Sequence, residues 1–125
     1  MKFLWLVCQA WWSLVLFDLL SLGGFKRVHA VVRRWPTAAR QPSDTIVADA
    51  CRAVEEACVW YLKRVHCLQR STVATWLLRW RGVRAQLVIG YRPKPVDSHA
   101  WVEVDGKVVN DRPQYQKHFL VLDRL

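Results

Sequence analysis

The sequence has no C-x2-C pair, although it carries four cysteines, and its four histidines complete no zinc-ligand spacing with them. No metal or cofactor is therefore expected. Acidic residues are scarce, ten against nineteen lysines and arginines, so the formal net charge is +9. A balance of that sign attracts something acidic: nucleic acid, anionic lipid, or an acidic peptide or protein. Glycine and proline are also few, five of each, while 53% of the 125 residues are hydrophobic and eight are tryptophan. That composition excludes a disordered chain. The length predicts a single core.

Cys51 and Cys58 fall on one side of a helix two turns apart, too far to bridge, and read as small hydrophobes. Nothing calls for an oxidising compartment, so a cytoplasmic protein is expected.

One long apolar run is present, FLWLVCQAWWSLVLFDLLSL from Phe3 to Leu22. About 20 residues suffice to span a bilayer. Gln9, Ser13 and Asp18 interrupt the run, and an aspartate is costly in lipid. Lys2 alone is a thin basic start for a signal peptide, and no small-residue cleavage site follows. A helix packed on the core or on a partner is favoured over a membrane span, with peripheral membrane contact left open. Gly23-Gly24 ends the helix. FKRVHAVVRRW then predicts a short basic helix with Phe25, Val28, Val31, Val32 and Trp35 as apolar members. It is either a solvated face or a surface for an acidic partner or lipid headgroups. Pro36 and TAARQPS mark a linker. Two regions result: an apolar and basic N-terminal segment over 1–40, and a core over 41–125.

Ser43 or Asp44 can cap the next helix. Ile46, Val47, Ala50, Val54, Ala57, Cys58, Tyr61 and Leu62 form its apolar stripe. A further helix starts at Cys67-Leu68, continues through Val73, Trp76, Leu77 and Trp80, and ends at Gly82. A cysteine at a helix start faces unpaired N–H groups and the positive end of the dipole, which favours thiolate. Arg70, one turn on, adds to this. His66 is adjacent to Cys67, but neighbouring side chains on a helix diverge. The tryptophans, Trp76 and Trp101 among them, are expected to be packing residues.

Val83 to Gly90 predicts a central strand, RPKPVDS a loop, and HAWVEV with KVVND a hairpin about Asp105-Gly106. A two-residue type I′ turn would set His99 against Arg112. A three-residue loop with a bulge at Gly106 would instead pair Glu103 with Lys107, Trp101 with Val109 and His99 with Asp111. The second register is the expected one, because it joins an ion pair, an aromatic–aliphatic pair and an imidazole–carboxylate pair on one face. Asp111 would then accept a hydrogen bond from one ring nitrogen of His99, leaving the other to face a nucleophile.

The stretch CLQRSTVATWLLRWRGVRAQLVIGYRPKPVDSHAWVEVDGKVVND resembles the transglutaminase-like cysteine protease domain of lasso-peptide biosynthesis. It looks most like the stand-alone leader-peptidase half of a split system. The motifs are C-L-x-R-S at a helix start, a leucine-rich helix ending R-G, an L-V-I-G strand, and H-A-W-V-E before D-G and N-D. The resemblance covers Cys67 to Asp111 well and is looser from about Asp44.

The resemblance implies an α+β fold, a transglutaminase-like or papain-like core in which N-terminal helices pack with a small antiparallel sheet. It implies Cys67 as nucleophile, His99 as its base and then the acid for the leaving amine, and Asp111 as the group orienting the ring. The Cys67 N–H is a natural oxyanion donor. No second donor is legible, and Gln86, in a strand, is not one. The implied substrate is a ribosomal precursor peptide, cut at its leader–core junction before a separate asparagine-synthetase-like cyclase closes the ring. A chain of this length leaves no room for a leader-binding module, so a separate small leader-binding protein is the implied partner. Nucleic acid is not. Two other functions stay open: an acyltransferase that passes the acyl group to an amine, and a non-enzymatic basic protein of membranes or nucleic acid.

Overall fold

A computed structural model describes residues 2–24, 26–27, 30–31, 44–93, 96–111 and 119–125. Helix α1 spans Lys2–Ser21, and Leu6, Ala10, Leu14 and Phe17 form its buried face. Their spacing of three or four residues places them on one stripe. Helix α2 (Asp44–Val59) answers with Val47, Ala50, Ala53, Val54 and Ala57. Helix α3 (Cys67–Trp80) runs through the middle of the molecule, with every residue from Ser71 to Arg79 buried. Gly82 closes α3: its N–H bonds to the Arg79 carbonyl at 3.0 Å, and the Val83 N–H reaches the Leu78 carbonyl at 2.9 Å.

Four strands form one antiparallel sheet in the order β3-β2-β1-β4: β1 (Ala85–Pro93), β2 (Val96–Val104), β3 (Lys107–Val108) and β4 (Leu120–Arg124). Ala85, Leu87, Ala100, Val102 and Val104 share a core with the three helices. Val88, Trp101 and Phe119 form a smaller cluster with Val108 against it. The alternation follows from the pleat, which turns successive side chains to opposite faces. The fold is thus α+β with a small antiparallel sheet, as the sequence predicts.

Asp18, the residue that made a membrane span costly, is engaged within the protein. It accepts a hydrogen bond from the Tyr61 hydroxyl and an ion pair from Lys63 at 2.9 Å. Gln69, buried nearby, donates to the Leu14 carbonyl at 3.0 Å. These contacts tie α1 to the segment that leads into α3. By length and composition α1 could cross a membrane, yet one face of it belongs to the core. Leu4, Trp5, Trp12, Leu19 and Leu22 lie exposed on α1 and just past its end.

Four expectations need correction. The hairpin turn has two residues, not three: Glu103 pairs with Val108 and Val104 with Lys107. Asp105 and Gly106 both have positive φ, 52° and 78°, the type I′ geometry whose twist matches the flanking strands. The pairing argument misled because Glu103 does not need Lys107. Glu103 is buried, accepting from the Trp101 indole at 2.9 Å and lying 3.4 Å from Arg124 Nε. The RPKPVDS stretch is not simply a loop, since β1 extends through Arg92 and Pro93 and β2 begins at Val96. Pro93 pairs with Val96 at the turn end of the β1–β2 ladder, beyond the reach of β4, where a missing N–H is tolerated. KVVND contributes only Lys107 and Val108 as strand. Helix α2 stops at Val59, short of Tyr61 and Leu62. β4 is an element the sequence reading did not include. Most of the expected basic helix over 25–35, the linker after Pro36 and Ser43 lie outside the described residues.

Gly90 sits opposite His99, and a Cβ there would stand 2.5 and 2.6 Å from ring carbons of Trp101 and 2.9 Å from Phe119 Cβ. The aromatic cluster therefore occupies the volume that a larger residue needs. Gly90→Ala should lower stability by about 1–3 kcal/mol through overpacking. Denaturant titration followed by tryptophan fluorescence measures this, and an unchanged midpoint would contradict the packing described.

Candidate active site

Cys67 is the first residue of α3, preceded by His66 in extended geometry (φ −86°, ψ 166°) without a side-chain cap. The first N–H groups of the helix therefore have no intrahelical partner. The sulfur is half-buried and hydrogen-bonds with the His99 imidazole and with the Ala100 backbone N–H. On the other side of the imidazole, His99 Nε2 lies 2.9 Å from Asp111 Oδ2. With Nε2 given to the carboxylate, Nδ1 is the nitrogen that serves the sulfur. The structure thus brings Cys67, His99 and Asp111 into one contiguous row.

Asp111 reaches His99 although the register expected for that contact is wrong. The β2–β3 ladder ends early, its last rung the Val109 N–H on the Val102 carbonyl at 3.0 Å. Asn110 then leaves the strand path. Its side-chain oxygen accepts from the Val102 N–H at 2.8 Å, and its amide donates to Ser71 Oγ at 3.0 Å. Ser71 in turn donates to the Ala100 carbonyl at 3.0 Å. The bend at Asn110 and Asp111 replaces the next rung, and the Asp111 carboxylate swings toward His99.

The electrostatics follow from these contacts. The Cys67 thiol is lowered, first by the bond from His99, then by the Ala100 N–H and the cations of His99 and Arg70, against a desolvation that opposes them. His99 is raised, first by Cys67 and then by Asp111, again against desolvation. The two shifts favour thiolate beside imidazolium. Cys51 and Cys58 go the opposite way: burial and the Glu55 carboxylate push both thiols up to about 11. Both side chains are partly buried against the core.

A cavity of about 240 Å³ opens beside the sulfur, lined by Cys67, Leu68, Ile89, Ser98, His99 and Ala100. Its lining is mostly apolar. Among the described residues no group of His, Cys, Asp and Glu could hold a metal ion. Gln69 is occupied with Leu14, and exposed Gln86 does not line the cavity, so neither is placed as an oxyanion donor.

Several residues around the row make contacts that the sequence motifs did not specify. Arg70 donates to Asp111 Oδ2 at 2.9 Å. Ser71 and Asn110 hold the open edge of β2. Trp101 stacks on His99 with ring centroids 6.3 Å apart, and Phe119 lies 6.0 Å from the same imidazole. The repeating period of two in H-A-W-V-E was the signal for Trp101 and Glu103, since alternate strand residues share a face.

A family model described as the transglutaminase-like superfamily matches residues 11–124. The chain belongs to the transglutaminase-like superfamily. Among curated proteins, this transglutaminase-like chain is similar to the microcin J25-processing protein McjB of Escherichia coli, 43% identical over 56 residues. The matched stretch is 45% of this chain, and it spans only 27% of the length of that relative. No solved structure matches the chain.

The paired shifts set the pH behaviour of Cys67. Thiolate persists above its lowered pKa, and imidazolium persists below the raised pKa of His99. Alkylation by a haloacetamide, read by peptide-mapping mass spectrometry, should therefore modify Cys67 well below the ordinary thiol pKa of about 8.5. Cys51 and Cys58 should stay unmodified near neutrality. Cys67 labelling that follows an ordinary thiol titration would contradict the pairing with His99.

Proposed function

We propose that the chain is the cysteine protease that removes the leader from a lasso-peptide precursor. The observation that carries this reading is the row Cys67–His99–Asp111 at the mouth of an apolar cavity. The likeness to a microcin-processing protein supports it, as do the C-L-x-R-S and H-A-W-V-E motifs. On this reading the reaction takes place in the cytoplasm, where reduced thiols persist.

The Cys67 thiolate attacks the carbonyl carbon at the leader–core junction and forms an S–C bond. The resulting oxyanion takes a hydrogen bond from the Cys67 N–H at the start of α3. The C–N bond then breaks, and the His99 imidazolium gives its Nδ1 proton to the departing amine of the core. Water attacks the acyl-enzyme next, with the now neutral imidazole taking its proton. The S–C bond breaks, and thiolate and imidazolium are restored. Asp111 holds the ring by Nε2 through both halves. The freed core amine is the group that a separate asparagine-synthetase-like cyclase would join to a carboxylate side chain.

A separate small leader-binding protein would present the precursor. The exposed apolar residues of α1 (Trp5, Trp12 and Leu19 among them) are the docking face assigned to it. They carry no charge, and they lie on a helix anchored to the segment that precedes Cys67.

Incubating the chain with the precursor, with and without the leader-binding protein, tests the reading by mass spectrometry. A freed leader is expected from the wild type. Cys67→Ala and His99→Ala should abolish it, and Asp111→Ala should reduce it partially. Leader release that survives Cys67→Ala would overturn the proposal. A cross-linked adduct in place of a free leader would favour the acyltransferase alternative.

A further inference from the structure

We infer that Arg70 is a positioning residue for the proposed site, holding the Asp111 carboxylate where the His99 ring needs it. The inference rests on the protease reading above and extends it to a residue outside the Cys-His-Asp row.

Asp111 stands beyond the last rung of the β2–β3 ladder, so strand pairing does not fix it. His99 and Arg70 both grip its carboxylate, approaching the same oxygen, Oδ2, at 2.9 Å. Arg70 extends from the first turn of α3, one turn after Cys67. The helix that carries the sulfur therefore also carries the group that aims the carboxylate. The position of Asp111 is measured from the nucleophile itself.

The guanidinium suits this task because it is flat and forked. Nη2 bonds Asp111 while Nη1 lies 3.5 Å from Glu55 on α2. Two anchors fix the plane of the group, which the single rotating ammonium of a lysine cannot reproduce. Burial strengthens the inner contact: the side chains of Arg70 and Asp111 are 27% and 15% exposed, against 55% for Glu55. The exposed outer contact is weak and steers the fork rather than holding it. Charges then alternate along one line from Glu55 through Arg70, Asp111 and His99 to Cys67.

The shared oxygen also gives the arrangement a definite failure mode. Without the guanidinium, the carboxylate loses its charged grip from α3 and can turn away from the ring. His99 then loses its orientation, and the proton it passes to the leaving amine is misdirected. The part of the Arg70 effect that runs through the carboxylate should therefore vanish when Asp111 is already disabled, leaving only the direct pull of its charge on the Cys67 thiol.

A double-mutant cycle with the intact chain tests this. Arg70→Gln should lower kcat for leader release about 10- to 100-fold, the size of one charge-assisted hydrogen bond. In the Asp111→Asn background the same change should cost less than about twofold. Arg70→Lys, which keeps the charge and loses the fork, should fall between wild type and Arg70→Gln. Circular dichroism confirms that each variant is folded. Arg70→Gln costs that are equal in both backgrounds, or wild-type release by Arg70→Gln, would overturn the inference. The rate of haloacetamide labelling at Cys67 needs no precursor and reads the same cycle through Arg70→Lys, which keeps the charge that acts directly on the thiol. If the wild type releases no leader, the protease reading fails, and the labelling cycle alone decides the role of Arg70.

Discussion

The backbone of Ala100 is the fixed point of this molecule. An antiparallel strand directs the N–H and C=O of alternate residues outward, and at Val104 and Val102 these groups meet the short strand β3 and its continuation. At Ala100 the partner strand has already departed. Its N–H bonds the Cys67 sulfur instead, and its carbonyl takes the Ser71 hydroxyl. Buried backbone groups must be satisfied, so the open edge specifies how the start of α3 docks on the sheet. The Cys67 sulfur thereby stands beside β2, within reach of the histidine that immediately precedes Ala100. A longer β3 would occupy that edge and leave the sulfur without a seat.

The same edge explains why one cysteine differs from the others. Cys51 and Cys58 are partly buried with a carboxylate, Glu55, as their charged neighbour, and both thiols are pushed up. Cys67 is desolvated too, but an imidazole, an outward N–H and a guanidinium more than offset that cost. Burial alone disfavours the thiolate, and burial with donors favours it. Aromatic packing supports the arrangement from behind. Trp101 and Phe119 wall His99, and buried Glu103 holds the indole N–H of Trp101.

Much of this was legible in the sequence, and the failures have physical causes. The start of α3 at Cys67 and its end at Gly82 could be read because caps and apolar period are local signals. The contact between His99 and Asp111 was expected, but for a mistaken reason. Cross-strand pairing chemistry favoured a bulged loop, whereas Asp105-Gly106 has the backbone freedom for a tight turn and Glu103 was already engaged elsewhere. The contact forms through the departure of Asn110 from the ladder, which depends on Ser71, thirty-nine residues away. No local pattern announces a partner at that separation. β4 went unread for a similar reason. A four-residue apolar run, FLVL, is ambiguous until β1 supplies the edge it pairs with. Asp18 stood out in the sequence as a charge within an apolar run, but Tyr61 and Lys63 could not be named as its partners.

The central claim is that sulfur and imidazole hold each other in the charged state. The side-chain titration of His99, followed by nitrogen-15 NMR in the wild-type chain and in Cys67→Ala, tests it most directly. The account predicts a His99 pKa above the ordinary imidazole value in the wild type, falling when the sulfur is removed, because Cys67 is the largest cause of the rise. A His99 titration that is the same in both proteins would contradict it.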